Sequence, residues 1–189
     1  NTVVFSWLKA AVLNPLPGVT APVQLLETKD DTGTYVTTSW LEYQDLGGLL
    51  PSFSSIAIQR MRVLNLGDTV REARVYAELV SANFFAVLGV APQSGRFFHA
   101  DEATRPGSAP VAVISHEFWQ RNFEGAPDVI GRIFKLNGVT FTVIGVTPPE
   151  FQGGYNHLAF DVFLPATMAE RLVPATSELK HRENRPYVM

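Results

Sequence analysis

The sequence predicts an α+β fold in which short strands alternate with short helices. The first observation is Asn137-Gly138 between two runs of alternating polarity, the signal of a tight β-hairpin. The second is the fully apolar run 111–114, which is typical of a buried strand. The third is a set of helix-start signals, in which a Ser, Thr or Asn precedes a short apolar stripe.

The composition excludes several classes of protein. The chain has 189 residues and is 46% hydrophobic and 17% charged, as expected for a globular domain with a substantial core. Its net charge of -3, without a Lys/Arg-rich run, argues against a nucleic-acid partner. It contains no cysteine, which excludes a disulfide framework and thiol chemistry.

The Asn137-Gly138 hairpin has a defined register. Both residues tolerate positive φ, so a two-residue type I′ turn is expected. A slip of one residue would expose the phenylalanines of one face to water. The resulting register pairs Leu136 with Val139, Lys135 with Thr140 and Phe134 with Phe141.

A capping box predicts the first helix of the core. Ser39 and Glu42 have the S-x-x-E spacing, in which each side chain binds the other residue's backbone N–H. Two strands, 53–64 and 69–80, are expected next, joined around residues 65–68.

Three further short helices are predicted. Residues 83–88 form one, with Ser81 or Asn83 as its cap and Gly89 in the left-handed position after it. Ser115 caps the second helix. Thr167 caps a third at 167–172, which follows a strand at 161–164.

None of the catalytic motifs considered is complete in this sequence. His116-Glu117 begins a zinc-protease motif, but Gln120 stands where the second histidine is required. Neither a G-x-S-x-G nucleophile turn nor a phosphate-binding glycine loop is present. His99, Asp101 and Glu102 lie close together, but one such cluster on a polar loop is weak support for a metal ion. We therefore expect no catalytic residue, no metal site and no cofactor.

Aromatic residues near a glycine turn are the candidate binding residues. Gly153-Gly154 predicts a turn, and aromatic side chains around it are more often the edge of a core than a binding surface. The candidates for a partner or cleft surface are Phe151, Tyr155, His157 and Phe160. A second hypothesis is that several phenylalanines form an exposed interface patch, although burial is expected. These are Phe84, Phe85, Phe97, Phe98 and Phe151.

The apolar N-terminal segment has two interpretations. Residues 1–13 are too short to span a membrane, which takes about 20 apolar residues. They fit either the end of a membrane helix or an ordinary amphipathic helix, with Val4, Phe5, Leu8 and Val12 at helical spacing.

Residues 15–172 resemble the periplasmic core domain of MacB-like permeases. Each motif is short, but their order and spacing are specific. The motifs are Pro15-Leu16-Pro17-Gly18, Ser81-Ala82-Asn83-Phe84-Phe85, Leu88-Gly89-Val90, Gly95-Arg96-Phe97-Phe98, Val113-Ile114-Ser115, Phe118-Trp119, Val129-Ile130-Gly131 and Val143-Ile144-Gly145-Val146.

The resemblance implies a two-lobed domain. Residues 15–66 and 155–189 would form a porter-like βαβ lobe, incomplete at its C-terminal end, and residues 67–154 a β-rich inserted lobe with short helices. Residues 1–14 would be the outer end of a membrane helix, and more membrane helices would follow residue 189.

The resemblance also implies a function in transport. The chain would be an extracytoplasmic domain of an ABC transporter permease of the MacB/FtsX type, on the periplasmic side of the cell membrane. It would relay transmembrane motion for efflux or export. The implied partners are its own membrane helices, a separate cytoplasmic ATPase, a periplasmic adaptor or cargo protein, and a second copy of the full-length permease.

Two other classes of function are weighed against this one. A ligand-binding module would hold a peptide, lipid or sugar in a cleft between the lobes. An enzyme would require clustered titratable groups with perturbed pKa values in a pocket. The sequence shows no such cluster.

Overall fold

A seven-stranded mixed sheet organises the molecule in a computed structural model of the chain. The structure describes residues 16–26, 28–29, 33–46, 54–68, 73–174 and 177–189. The N-terminal segment 1–14 and the expected start of the strand 69–80 lie outside these residues. The strands of the sheet are β3 (Gln59–Asn65), β4 (Arg74–Val80), β5 (Ser94–Gly95), β6 (Val111–Ile114), β7 (Ile133–Leu136), β8 (Val139–Val146) and β9 (Val162–Pro165).

The strand order is β3-β4-β9-β6-β8-β5, with β7 also paired to β8. β4 pairs with β9, and β6 with β8, in parallel; the other pairings are antiparallel. A separate two-stranded antiparallel sheet consists of β1 (Thr28–Lys29) and β2 (Tyr35–Val36). Mixed pairing together with short helices confirms the α+β class.

The β7–β8 hairpin confirms the predicted register. Leu136 pairs with Val139, and Phe134 with Phe141. Asn137 and Gly138 have φ values of 47° and 78°, both in the left-handed region.

Within the described residues the α-helices are α1 (Trp40–Leu46), α2 (Phe84–Leu88), α3 (His116–Phe123) and α4 (Ala169–Leu172). The capping box of α1 is confirmed, since the Ser39 N–H donates to Glu42 and the Glu42 N–H donates to Ser39. Ser115 caps α3 by accepting the Phe118 N–H at 3.1 Å.

Two predicted caps are wrong. Asn83 precedes α2, but its amide donates to Ser55 and to the Ile56 carbonyl and does not cap the helix. Thr167 lies inside a 3-10 turn, Ala166–Met168, that leads into α4. In both cases a tertiary contact or a tighter turn replaces the expected local bond.

The strand expected at 53–64 begins later, at Gln59. The backbone at Ile58 instead bonds to Ser81 through both its N–H and its carbonyl. The Asn83 side-chain amide donates to the Ile56 carbonyl. Side chains, and not a neighbouring strand, therefore bind the backbone of this segment.

The two faces of the sheet are covered differently, because side chains alternate along each strand. The first face packs against α3 and α4, with Leu79, Val162 and Phe118 in its core. The second face packs against α2 and residues 151–160, with Val80, Phe163 and Phe85 in its core.

The sheet is continuous across the expected lobe boundaries. β3 and β9, assigned to the porter-like lobe, pair with β4 and β6, assigned to the inserted lobe. Residues 187 and 188 extend the sheet further, since Val188 bridges to Gln59 and Tyr187 to Thr38. The division into two lobes stays a prediction.

Candidate functional site

The segment 151–160, called here the 151–160 loop, crosses the second face of the sheet. It follows β8 through Pro148-Pro149 and leads into β9. At its base the Phe160 N–H donates to the Gln152 carbonyl at 2.9 Å. The next residue, Asp161, binds β4, because its N–H donates to the Tyr76 carbonyl and its carboxylate accepts the Tyr76 N–H.

Two of the four candidate residues are part of the core. Phe151 is 2% exposed and Phe160 is 3% exposed. Their ring centroids lie 5.5 Å and 6.4 Å from that of Phe163. Both side chains therefore attach the ends of the loop to the sheet.

Tyr155 and His157 reach the surface of the loop. Tyr155 is half-buried, with its ring 5.7 Å from Phe160 and its hydroxyl hydrogen-bonded to the backbone of Met61. Burial, followed by the nearby carboxyl of Glu78, raises the pKa of Tyr155 to about 12. His157 is exposed and has a left-handed backbone with φ of 65°.

Sequence reasoning did not single out Glu78, the residue beneath this loop. Glu78 is on β4 and its side chain has no exposed surface. Its two carboxyl oxygens lie 3.2 Å and 3.1 Å from the Gly154 backbone nitrogen. Burial is the main cause that raises the pKa of Glu78 to about 8, and the Gly154 N–H lowers it in part. The available sequence signal was that Glu78 is the one acid in the otherwise apolar run 75–80.

The loop can approach Glu78 because two glycines face the sheet. A Cβ on Gly153 would overlap the Phe160 ring and lie 2.9 Å from a Glu78 oxygen. The φ of Gly153 is 127°, which L side chains rarely adopt. The Gln59 amide completes the contact by donating to the Gly154 carbonyl at 2.9 Å.

A second buried acid, Glu178, packs against the first face. It is 2% exposed and forms ion pairs with Arg60 and Arg62 of β3. Its neighbour Leu179 is also buried, in a small core with Tyr187. Arg60 and Arg62 are two residues apart in a strand and so face the same side, which was the sequence signal for a partner acid.

The phenylalanines of the second hypothesis do not form an exposed patch in the described chain. Phe84, Phe85, Phe98 and Phe151 are each at most 8% exposed, and Phe97 is half-buried with its ring stacked on Phe85 at 3.8 Å. These side chains are buried because their rings fill the space between α2 and the sheet.

The clusters considered for chemistry have structural roles. Both oxygens of Glu102 accept bonds from Arg96, at 2.7 Å and 2.9 Å, in a bidentate pair. His116 Nδ1 lies 2.8 Å from Gln93 Oε1, on the first residue of α3. Within the described ranges, no three His, Cys, Asp or Glu side chains are grouped to hold a metal ion. None of the helices described has the length and apolarity to cross a membrane.

Comparisons with known proteins point to one family. A sequence profile of the MacB-like periplasmic core domain matches residues 4–188. The macrolide export ATP-binding/permease protein MacB of Rhodopseudomonas palustris (strain BisB18) is 34% identical over 111 residues, which cover 58% of this chain and 16% of that protein. The probable export ATP-binding/permease protein MacB of Pseudomonas entomophila (strain L48) is 33% identical over 89 residues, 45% of this chain and 13% of that protein. The chain thus matches a small part of either relative's length.

Solved structures share the fold. The extracellular domain of the noncanonic ABC-type transporter YknZ from Gram-positive bacteria has a TM-score of 0.57 at 16% identity, covering 79% of this chain and 75% of that one. The periplasmic region of MacB from Actinobacillus actinomycetemcomitans has a TM-score of 0.55 at 14% identity, covering 80% of this chain and 67% of that one.

Proposed function

Because this chain belongs to the MacB-like periplasmic core domain family, we propose that it is a non-catalytic relay between membrane helices and an extracytoplasmic partner. The family match confirms the resemblance carried by the sequence motifs. The chain is accordingly of the type found as the periplasmic domain of a MacB/FtsX-type ABC transporter permease. Motion of the flanking helices would change the surface presented to a partner or cargo during efflux or export.

One observation carries the proposal: the C-terminal segment is built into the sheet. Tyr187 forms a β-bridge with Thr38, and Val188 forms one with Gln59. The Leu26 N–H donates to the Met189 carbonyl at 3.0 Å. A displacement of this segment would therefore act directly on β3, in the lobe assigned to residues 15–66 and 155–189.

The buried ion pairs of Glu178 strengthen this connection. They join the turn before the C-terminal segment to Arg60 and Arg62 on the same strand, β3. A buried pair resists separation, because pulling the partners apart would leave uncompensated charges in a desolvated place. Force applied at the C-terminal end would thus reach the sheet through both the backbone and the side chains.

The proposed partners rest on the names of the relatives and on which candidate residues are exposed. The names of the MacB relatives, export ATP-binding/permease proteins, support an ATPase as the source of motion. The proposed partners also include a periplasmic adaptor or cargo protein and a second permease copy. Tyr155 and His157 are the proposed contact residues, since they are the candidates that reach the surface.

The test uses distances in the full-length permease with its ATPase. The chain itself contains no cysteine, so Gln44→Cys and Thr140→Cys would place spin labels at two exposed positions assigned to different lobes. Nucleotide should shift the distance between them. In the control pair, Gln120→Cys and Thr140→Cys, both labels lie in 67–154 and the distance should stay constant. Equal behaviour of the two pairs, moving or fixed, would contradict a relay between lobes.

A further inference from the structure

The Glu78 carboxyl is buried without a compensating charge. It is completely enclosed on the second face of the sheet, and the Gly154 N–H is its hydrogen-bond donor. No ion pair to Glu78 forms within the described part of the chain. An ionised carboxylate in such a place loses most of its hydration and gains one backbone dipole in return.

The groups around Glu78 are almost all uncharged. Gln59 approaches from β3, and Phe163 is its neighbour on β9. Gly153, Gly154, Tyr155 and Phe160 approach from the 151–160 loop. Tyr155 is the titratable member of this set, and its pKa of about 12 keeps it neutral wherever Glu78 changes charge.

We propose that Glu78 is a protonation-dependent latch, whose neutral carboxyl holds the 151–160 loop on the sheet and whose ionised form releases it. Release is local, because the bonds in the middle of the loop differ from those at its base. In the middle, Gly154 binds Glu78 and Gln59. At the base, Phe160 and Asp161 bind backbone groups that do not titrate.

Opening the middle of the loop would expose the Glu78 carboxylate to water without unfolding the sheet. The Gly-Gly sequence suits this, since its backbone is not fixed by side chains of its own. The latch would operate in the isolated domain whether or not the domain relays motion. If it does, the loop that carries Tyr155 and His157 becomes a surface that changes with pH.

The direction of the effect follows from proton binding. Burial raises the pKa of Glu78 to about 8 with the loop closed, whereas an exposed Glu titrates near ~4.3. The closed loop therefore binds the proton more tightly than the open loop. Closure is fully favoured below pH ~4.3 and is lost progressively as pH rises through about 8. Between these limits the opening constant should rise about tenfold per pH unit.

Hydrogen exchange at the Gly154 amide measures this opening directly. In the 189-residue chain, the protection factor of that amide, corrected for intrinsic exchange, should fall about tenfold per pH unit between pH ~5 and 8. In Glu78→Gln it should be independent of pH. Glu178→Gln is the matched control, because it removes the other buried acid and should leave the slope intact. The backbone N–H of Val143, which donates to the Arg132 carbonyl and does not contact the loop, is the internal reference.

A flat protection factor in the unaltered chain, or an unchanged slope in Glu78→Gln, would overturn the latch. If Glu78→Gln does not fold, the carboxyl carbon shift of Glu78 in the unaltered chain decides the question. A midpoint raised above pH ~4.3, with the Gly154 amide signal of the closed loop lost over the same pH range, supports the latch. A midpoint near pH ~4.3, or a raised midpoint with the closed-loop signal retained, excludes it.

Discussion

Two buried glutamates lie against opposite faces of the β3–β4 pair, and the fold compensates them differently. Glu178 on the first face has two arginines, whereas Glu78 on the second face has one backbone N–H. Both are at most 2% exposed, so burial does not distinguish them. The comparison indicates that the available partner, and not burial alone, decides how a buried carboxyl group is held.

The faces differ in what the acids hold. Glu178 holds the turn that precedes the C-terminal segment, whose displacement we propose to be the input of the relay. Glu78 holds a loop whose residues we propose as contact points for a partner. A fixed contact suits the first task, because a compliant one would not transmit force. A contact that can open suits the second.

The largest expected effect on stability comes from removing Glu178, the acid with two arginine partners. Glu178→Ala would leave Arg60 and Arg62 partly buried without their acid, and should lower the free energy of unfolding in urea by about 3 kcal/mol. Glu183→Ala is the control, since that residue is 76% exposed and pairs with His181 at the surface. Its effect should stay within about 0.5 kcal/mol. Equal losses in the two variants would remove the contrast between the faces.

A smaller effect is expected where the loop meets Glu78. Gly153→Ala adds a Cβ against the Phe160 ring in a backbone with φ of 127°, and should cost about 2 kcal/mol in the same urea measurement. Gly131→Ala also has positive φ, 90°, but its Cβ would have no described atom within 4 Å. The difference between the variants isolates the packing of the loop. Identical costs would mean that the loop does not press on the sheet.

The smallest effect is expected from removing the Tyr155 hydroxyl. Tyr155→Phe removes the hydroxyl bonded to the Met61 backbone and should cost about 1 kcal/mol of unfolding free energy. It should also lower the Gly154 protection factor at every pH without changing its pH slope, because Glu78 remains. A changed slope would indicate that Tyr155, and not Glu78 alone, controls the loop.

Much of the local structure was predictable because the signals lie within a few residues. The β7–β8 hairpin depends on Asn137 and Gly138, which supply positive φ to a two-residue turn. The Ser115 cap reaches only to Phe118. The prediction that Asn83 caps α2 was wrong because its partners are distant in the sequence. Its side-chain amide donates to Ser55 and to the Ile56 carbonyl, and local spacing does not reveal these contacts.

By itself the sequence determined the α+β class, the hairpin register, two of the helix caps and the family of the chain. Only the tertiary structure decided that Phe151 and Phe160 are core and that Glu78 is enclosed. The physical reason is distance along the chain. Glu78 and the Gly154 N–H that binds it are 76 residues apart, and no pattern within β4 specifies which segment will cover that face. Local sequence determines which way a side chain points, and packing decides what it meets there.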